Sequence, residues 1–396
     1  MSNYITRRRM QLVAATVVTL TGGCTDSLTR PKMAGCAVEA LESTESLAAT
    51  RWNEVARNLV IKYRTDPSAR PYAVLSLAQF GADLAAEERS EKTCPSVRAA
   101  VAAASAAALS YLYPNEATAL AQLLKEQQDG DAARGLAGLE QGERLGKAAA
   151  EPVIARARVD GVNNPWTGVI PTGPGSWISN GSPATPQLGQ MRPILLVSGD
   201  QFRPAAPPAF GSAPFLAALA EVKTIAVSRT AEQLQLAQKW SLSGGTYRTQ
   251  GHWNVVAADI LTQRGARERE ATHALALLNA AMNDASIACF DAKYTYFTIR
   301  PSQADAGIPL AIGLPNHPSY PSSHSCTSGA ATQVLGALFP GESTRLDGMA
   351  QEIGLSRMYA GIHYRFDVET GLALGKTVAQ FAVDRDRDGK LLNAAR

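Results

Sequence analysis

The sequence lacks several features that would point to common classes of protein. It has only five histidines in 396 residues, and its five cysteines include no C-x-x-C pair, which argues against a structural zinc site. Arg7, Arg8 and Arg9 supply the whole net charge of +3, so the remaining chain is neutral and gives no indication of a nucleic-acid partner. Beyond residue 23, no apolar run approaches the length of about 18 residues that predicts a membrane-spanning helix.

The first 23 residues have the pattern of an export signal. In TRRRMQLVAATVVTLTGGC, a basic start precedes an apolar stretch of about ten residues and then small residues. TRRRMQL resembles a twin-arginine export signal. LTGGC resembles a bacterial lipoprotein cleavage box, although Thr21 stands where leucine is usual. We expect an exported protein, periplasmic or anchored to the membrane by a lipid on Cys24. The alternative is an ordinary secretory signal that ends at a cysteine.

The other four cysteines fall into two groups. Cys36 and Cys94 flank predicted helices in the N-terminal part, and an oxidising compartment makes them the more plausible bridge. Cys289 and Cys326 lie in or next to the candidate functional motifs described below. For that second pair, buried thiols and a disulfide are equally consistent with the sequence.

Helices dominate the prediction for the rest of the chain. Alanine is abundant and apolar residues recur at three- and four-residue steps through most of residues 34–160, and again after residue 212. We therefore predict an all-α fold of helical bundles. Its predicted segments are an export signal (1–23), an N-terminal helical part (24–160), a connector (161–211), a catalytic bundle (212–386) and a tail (387–396). Within the catalytic bundle, helices are predicted at about 213–222, 229–241, 253–264, 267–298, 323–338, 343–358 and 363–384.

Proline, glycine and serine dominate the connector, a composition that a disordered linker would share. It also contains many large apolar residues: Trp166, Trp177, Ile194, Leu195, Leu196, Val197, Phe202 and Phe210. Because such side chains are unfavourable in free solvent, we expect a long ordered loop wrapped over the helices. Long ordered loops in compact domains are often functional.

The first candidate motif lies at the end of the predicted helix 267–298. Lys293 and Arg300 are seven residues apart, which is two helical turns, so both cations are expected to point the same way. Pro301 is expected to stop the helix. Taken alone, such a pair is more often two surface side chains.

The second motif is HPSYPSSHSCTSG, residues 317–329. Ser322, Ser323 and His324 lie where a proline-containing loop meets a predicted helix start. The free N–H groups and the positive dipole end at a helix start bind anions, and serine hydroxyls extend such a site. Simple N-capping by serine is the alternative.

The third motif is SRMYAGIHYRFD, residues 356–367. His363 and Asp367 are spaced i, i+4 at a predicted helix start, so the carboxylate can orient the imidazole, and Arg357 precedes them. A surface ion pair is the alternative. Together, the three motifs suit one anion with several oxygens and phosphoryl chemistry in which Arg and Lys neutralise charge without a divalent metal.

These motifs resemble K-x6-R-P, P-S-x-H and S-R-x5-H-x3-D of the superfamily of phosphatidic-acid phosphatases type 2 and vanadium haloperoxidases. The residues that match are Lys293, Arg300, Pro301, Pro321, Ser322, Ser323, His324, Ser356, Arg357, His363 and Asp367. Ser323 departs from the family, which usually has glycine there. The long helical first half and the connector resemble the bacterial vanadium-dependent haloperoxidases more than the shorter acid phosphatases.

The resemblance implies a role for each residue. His363 would coordinate vanadate, and its oxygens would be held by Lys293, Arg300, Ser322, the amide of Ser323 and Arg357. His324 would carry protons at the opposite apex. His317 falls where bromoperoxidases have a second active-site histidine and chloroperoxidases an aromatic residue, so bromide is a more plausible substrate than chloride. Phe290 replaces a tryptophan associated with the halide site, which weakens the case for halide oxidation.

Three functions remain open at this point. The first is a peroxidase that uses vanadate, hydrogen peroxide and a halide. The second is an acid phosphatase without a cofactor, which forms a phosphohistidine at His363 and uses His324 to protonate the leaving alcohol. The third is an oxyanion-binding lipoprotein, which would have no need of two apical histidines. The expected partners are small molecules, and the sequence carries no indication of oligomeric state.

Overall fold

The computed structural model describes residues 47–394. The helices are α1 Ala48–Tyr63, α2 Ala69–Thr93, α3 Val97–Leu112, α4 Ala117–Ala133, α5 Leu139–Arg158, α6 Ala213–Val227, α7 Ala231–Lys239, α8 Arg248–Gln263, α9 Glu268–Tyr296, α10 Pro301–Ala304, α11 Ser323–Leu338, α12 Ser343–Tyr359, α13 Arg365–Arg387 and α14 Lys390–Ala394. Short 3₁₀ turns lie at 114–116, 186–190 and 340–342. Residues 47–394 contain isolated bridges but no strand, which confirms the all-α prediction.

The alanine-rich helices in the first half of the chain pack closely against each other. Ala99 to Ala104 of α3 are buried almost completely. A side chain at Gly142 or Gly146 of α5 would overlap the backbone of α3 at Ser96 or Ala100, so these glycines let α5 lie directly on α3. The small side chains therefore explain how several helices share one core.

The long helix α9 runs through the core and carries the first motif at its C-terminal end. Its residues are buried on all faces, as expected for a central helix. Asn279 joins α9 to its neighbours, because its amide donates to Ser76 Oγ and to Asn254 Oδ1, each at 2.8 Å. Asn254 Oδ1 also accepts from Asn53 at 2.7 Å. This buried amide network holds α1, α2 and α8 against the helix that bears Lys293.

The connector is ordered and tied to α9. The buried carboxylate of Asp284 accepts hydrogen bonds from the backbone N–H groups of Ile194, Leu195 and Leu196, at 2.7, 2.7 and 3.0 Å. Burial raises the pKa of Asp284, and these three donors oppose that effect. Arg203 also forms an ion pair with Asp291 at 2.6 Å.

The connector buries some of its large apolar residues and exposes others, among them Val169 and Ile178. Trp177 is almost fully buried, whereas Val197 is 84% exposed and Phe210 is 48% exposed. The predicted ordered loop thus leaves some of its apolar side chains in solvent, Val197 and Phe210 included. At Val197 the backbone rather than the side chain is held, because its N–H donates to Gln201 Oε1.

Helix α8 begins five residues earlier than predicted. It starts at Arg248 rather than 253, and Gly251 lies inside its first turn. A side chain at Gly251 would press on the hydroxyl of Tyr72 and the ring of Tyr247. Gly251 therefore allows α8 to lie close to Tyr72 of α2.

The predicted export signal and Cys24 lie outside the described residues, as does Cys36. Cys94 is bonded in a disulfide, so its pairing with Cys36 stays a prediction. Cys289 and Cys326 are free, buried thiols. Within residues 47–394, no helix combines the length and apolar character needed to cross a membrane.

Candidate active site

The three motifs meet around the loop that precedes α11. Lys293, near the end of α9, is completely buried, and its ammonium donates to the backbone oxygens of Pro318 and Ser319 at 2.8 and 2.9 Å. Burial lowers its pKa to about 8. The lysine therefore anchors the second motif on the helix that carries the first.

Arg300 links all three motifs. Its Nη2 lies 3.0 Å from Nδ1 of His317 and also donates to the backbone oxygen of His317. Its Nη1 donates to the backbone oxygen of Ile362 and lies 3.1 Å from Nε2 of His363. The guanidinium is fully buried, which lowers its pKa to about 10.

The convergence of Lys293 and Arg300 does not arise as the sequence analysis assumed. Helix α9 ends at Tyr296, and Phe297 adopts a left-handed conformation with φ of 47°. Arg300 therefore lies beyond the helix, on a short extended segment where Ile299 donates to the carbonyl of Gly175 in the connector. Pro301 begins α10 rather than stopping α9, since proline suits the first turn of a helix.

His363 and Asp367 form a buried pair. Nδ1 of His363 lies 2.8 Å from Oδ2 of Asp367, which also accepts from the backbone N–H of Tyr364. The predicted i, i+4 pair therefore forms at a helix start, with His363 just before α13, whose N-cap is Tyr364. The carboxylate reaches back from the third helical position to cap the helix, and this geometry brings it to the imidazole.

The charges of this pair follow from its surroundings. Burial lowers the pKa of His363, and the nearby Arg300 lowers it further. Burial raises the pKa of Asp367 to about 6. With the proton on Nδ1 facing the carboxylate, Nε2 of His363 presents a lone pair towards Arg300. A neutral imidazole in this tautomer can act as a ligand or as a nucleophile.

Two of the predicted oxyanion-binding residues are among the buried donors that have no hydrogen-bond partner within the described part of the chain. Ser322 is the N-cap of α11, but its hydroxyl makes no capping hydrogen bond. Nη1 of Arg357 is likewise unpartnered, while Nη2 donates to the backbone oxygen of Ala237 at 3.0 Å. Burial lowers the pKa of Arg357 to about 9. Unsatisfied buried donors are costly, so this set fits an oxyanion that would accept from both.

The two histidines of the second motif have different surroundings. Nε2 of His324 donates to the backbone oxygen of Ser241 at 3.1 Å, and burial and Arg357 lower its pKa to about 3. His317 accepts from Arg300, and its ring lies 5.3 Å from that of Phe290. His324 therefore contacts Ser241, whereas His317 contacts Phe290 in α9.

Ser319 is a site residue that the sequence analysis did not identify. Its hydroxyl donates to Oδ2 of Asp367 at 2.5 Å, across 48 positions of sequence. Its backbone N–H donates to the carbonyl of Thr298. The only available signal was its position inside the proline- and serine-rich loop, because no spacing rule connects it to Asp367.

For the halide oxidation that the resemblance implies, Ser319→Ala should lower kcat/KM by roughly 10-fold, because Ser319 donates to the carboxylate that orients His363. Steady-state kinetics at saturating vanadate would measure it. Ser286→Ala is the control, because Ser286 is also buried and donates only to Met282 in its own helix. Equal activity of both variants and the parent protein would show that Asp367 does not depend on Ser319.

Comparison with known proteins agrees with this geometry. Residues 273–387, which contain all three motifs, match the PAP2 superfamily model. A vanadium-dependent bromoperoxidase of Ascophyllum nodosum is 34% identical over 102 aligned residues, a match that covers 18% of this chain and only 18% of that protein.

Solved structures with the same fold extend the likeness to most of the chain. A bacterial vanadium-dependent iodoperoxidase has a TM-score of 0.75 and 22% identity, over 85% of this chain and 95% of its own. A bacterial vanadium-dependent chloroperoxidase in its apo form has a TM-score of 0.68 and 14% identity, over 83% and 94% of the two chains. At these identities the likeness establishes a shared fold. Residues 273–387 therefore match the PAP2 superfamily, and most of the chain shares the fold of these vanadium-dependent haloperoxidase structures.

Proposed function

We propose that this protein is a vanadium-dependent haloperoxidase that oxidises bromide in preference to chloride with hydrogen peroxide. The observation that carries the proposal is the contact between His317 and Arg300, with Nδ1 and Nη2 3.0 Å apart. A second imidazole on the anion-binding guanidinium has no part in a bond made or broken during phosphate-ester hydrolysis. Through its contact with Arg300, His317 can influence halide oxidation at the same site.

The side chains of the site suit vanadate as the cofactor. His363 would be its ligand through Nε2, and the oxygens would be held by Lys293, Arg300, Ser322, the amide of Ser323 and Arg357. The unpartnered Ser322 hydroxyl and Arg357 Nη1 support this assignment. Bound vanadate would supply a Lewis-acidic centre at which peroxide becomes able to oxidise a halide.

The protein's own residues would then bind and move protons. The hydrogen bond to Ser241 keeps a proton on Nε2 of His324, so Nδ1 is the atom that accepts one. Asp367 keeps the proton of His363 on Nδ1 and leaves Nε2 free. Lys293 and Arg300 neutralise the charge of the oxyanion in a buried site, where electrostatic interactions are strong.

The proposed preference for bromide also rests on His317 and the neighbouring Phe290. His317 occupies the position at which the resemblance associates histidine with bromoperoxidases, and Phe290 packs against it at 5.3 Å. The alga-derived relative is described as a bromoperoxidase, and the bacterial structure with a TM-score of 0.75 as an iodoperoxidase. Iodide should therefore also be oxidised, while chloride should be a poor substrate.

Phosphatase activity is the second candidate, and the His363–Asp367 pair favours it. Nε2 of His363 would attack phosphorus to form a phosphohistidine, and the alcohol would leave with a proton from His324. Water would then release phosphate. The low pKa of His324 in the absence of a bound anion is less suited to protonating a leaving group.

One pair of assays on purified protein separates the candidates. With vanadate and peroxide, we expect bromide and iodide oxidation at least roughly 10-fold faster than chloride oxidation, and little hydrolysis of p-nitrophenyl phosphate without vanadate. Hydrolysis without halide oxidation would replace the proposal by the phosphatase. Vanadate binding without either activity would indicate an oxyanion-binding protein.

A further inference from the structure

Two arginines, Arg64 and Arg248, lie at the loop whose residue Ser241 contacts His324, and the proposed mechanism uses neither. His324 donates to the backbone oxygen of Ser241, the first residue of a loop that runs to the start of α8 at Arg248. The positive charge of Arg248 lowers the pKa of His324, after the larger effects of burial and Arg357. The loop thus connects the proton-carrying histidine to a second cationic region.

The guanidinium groups converge at Gly244. Nη2 of Arg64 donates to the backbone oxygen of Gly244 at 3.3 Å. Nη2 of Arg64 and Nη2 of Arg248 each lie 3.5 Å from the position that a Cβ on Gly244 would occupy. These two nitrogens are therefore no farther apart than twice that distance. Two like charges held so close repel each other unless an anion lies nearby.

The protein balances this charge only in part. Within residues 47–394, the only carboxylate within 4 Å of either guanidinium belongs to Asp66, whose Oδ2 is 3.8 Å from Nη2 of Arg248 and whose side chain is 42% exposed. Nε of Arg248 is buried without a hydrogen-bond partner among the described residues. The pair therefore has an unused donor and an excess of positive charge.

Backbone strain accompanies this arrangement. Arg64, Leu242 and Arg248 have φ values of 50°, 41° and 63°, in the left-handed region that side chains other than glycine and asparagine rarely adopt. Arg64 is the C-cap of α1, where this conformation is common, whereas Leu242 and Arg248 adopt it without that reason. Such strain is concentrated at binding sites, where the surrounding structure maintains it.

We propose that Arg64 and Arg248 form a second anion-binding site at Gly244, which binds the carboxylate of an aromatic acid on the loop that holds His324 through Ser241. A guanidinium pair suits a planar carboxylate because its donors form two parallel hydrogen bonds. This inference rests on the proposed function and deepens it, since the bound acid would be the molecule that is halogenated. The halogen of a hypohalous acid would replace a ring hydrogen, and the released proton and hydroxide would form water.

Binding of two phenols that differ in one group tests the site without turnover. Calorimetry on the full chain should show para-hydroxybenzoate binding at least roughly 10-fold more tightly than para-hydroxybenzyl alcohol, the usual effect of a paired charge. In Arg64→Asn/Arg248→Asn the preference should disappear. Asparagine is chosen because it tolerates left-handed backbone. Arg264→Asn at the other end of α8 makes the same type of substitution and should keep the preference.

The outcomes are distinct from failure of the proposed function. An unchanged preference in the double variant, or no preference in the parent protein, would overturn the second site. If the double variant does not fold, as judged by its melting curve, Arg64→Asn alone should still reduce the preference, since Arg64 is exposed. Iodide oxidation without any organic acid tests the peroxidase activity separately.

Discussion

His363→Ala is expected to lower halide oxidation by roughly 10³-fold or more and to remove any phosphatase activity. Loss of the nucleophile has effects of this size in other enzymes. Nε2 of His363 lies 3.1 Å from Nη1 of Arg300, and the carboxylate of Asp367 orients this imidazole through Nδ1. The alanine side chain can neither bind vanadate nor attack phosphorus. Vanadate binding measured by equilibrium dialysis should fall together with turnover.

The chain offers a matched control for this substitution. His273 of α9 also pairs with a carboxylate, because its Nε2 lies 3.0 Å from Asp386 of α13. Unlike His363, His273 is partly exposed, and Asp386 lies near the end of α13, far from His363. His273→Ala should leave turnover and vanadate binding within about two-fold, the usual range for a surface pair. If His363→Ala retained most of either activity in a folded protein, the ligand or nucleophile would have to be another residue.

His324→Ala should reduce turnover by roughly 10²–10⁴-fold, the range for a positioned proton carrier. It should do so with either chemistry, because both need a proton moved at the same side of the oxyanion. The contact with Ser241 holds the imidazole through Nε2 and leaves the other nitrogen for the proton. Measurements of kcat with bromide and peroxide, and with p-nitrophenyl phosphate, would test both reactions.

His317→Phe is the comparison, because His317 lies seven residues away in the same loop but contacts Arg300 and Phe290 instead. We expect it to spare phosphate-ester hydrolysis to within a few-fold and to change halide preference or the pH optimum of peroxidation. The separation of roles is contradicted if both substitutions cause the same large loss of phosphatase turnover in folded proteins.

Local features of this protein could be predicted from the sequence alone. Helix α11 begins and ends at the predicted residues, 323 and 338, because a proline- and serine-rich loop precedes it and small apolar residues run through it. The all-α class was also predicted correctly, and residues 273–387, which contain the three motifs, match the PAP2 superfamily model. These features depend on helix propensity, capping and spacing, which act between residues close in sequence.

The tertiary structure decided how the motifs meet. Phe297 turns the chain out of α9, so Arg300 reaches His363 from a loop and not from two helical turns. Ser319 contacts Asp367 across 48 residues, and Arg248 contacts the carbonyl of Arg64 across 184. Helical periodicity indicates which residues share a face, but it carries no information about which distant loop packs on that face. The sequence therefore determined the helices and the chemical groups of the site. Tertiary packing determined the distances between those groups and brought Arg64 and Arg248 together at Gly244.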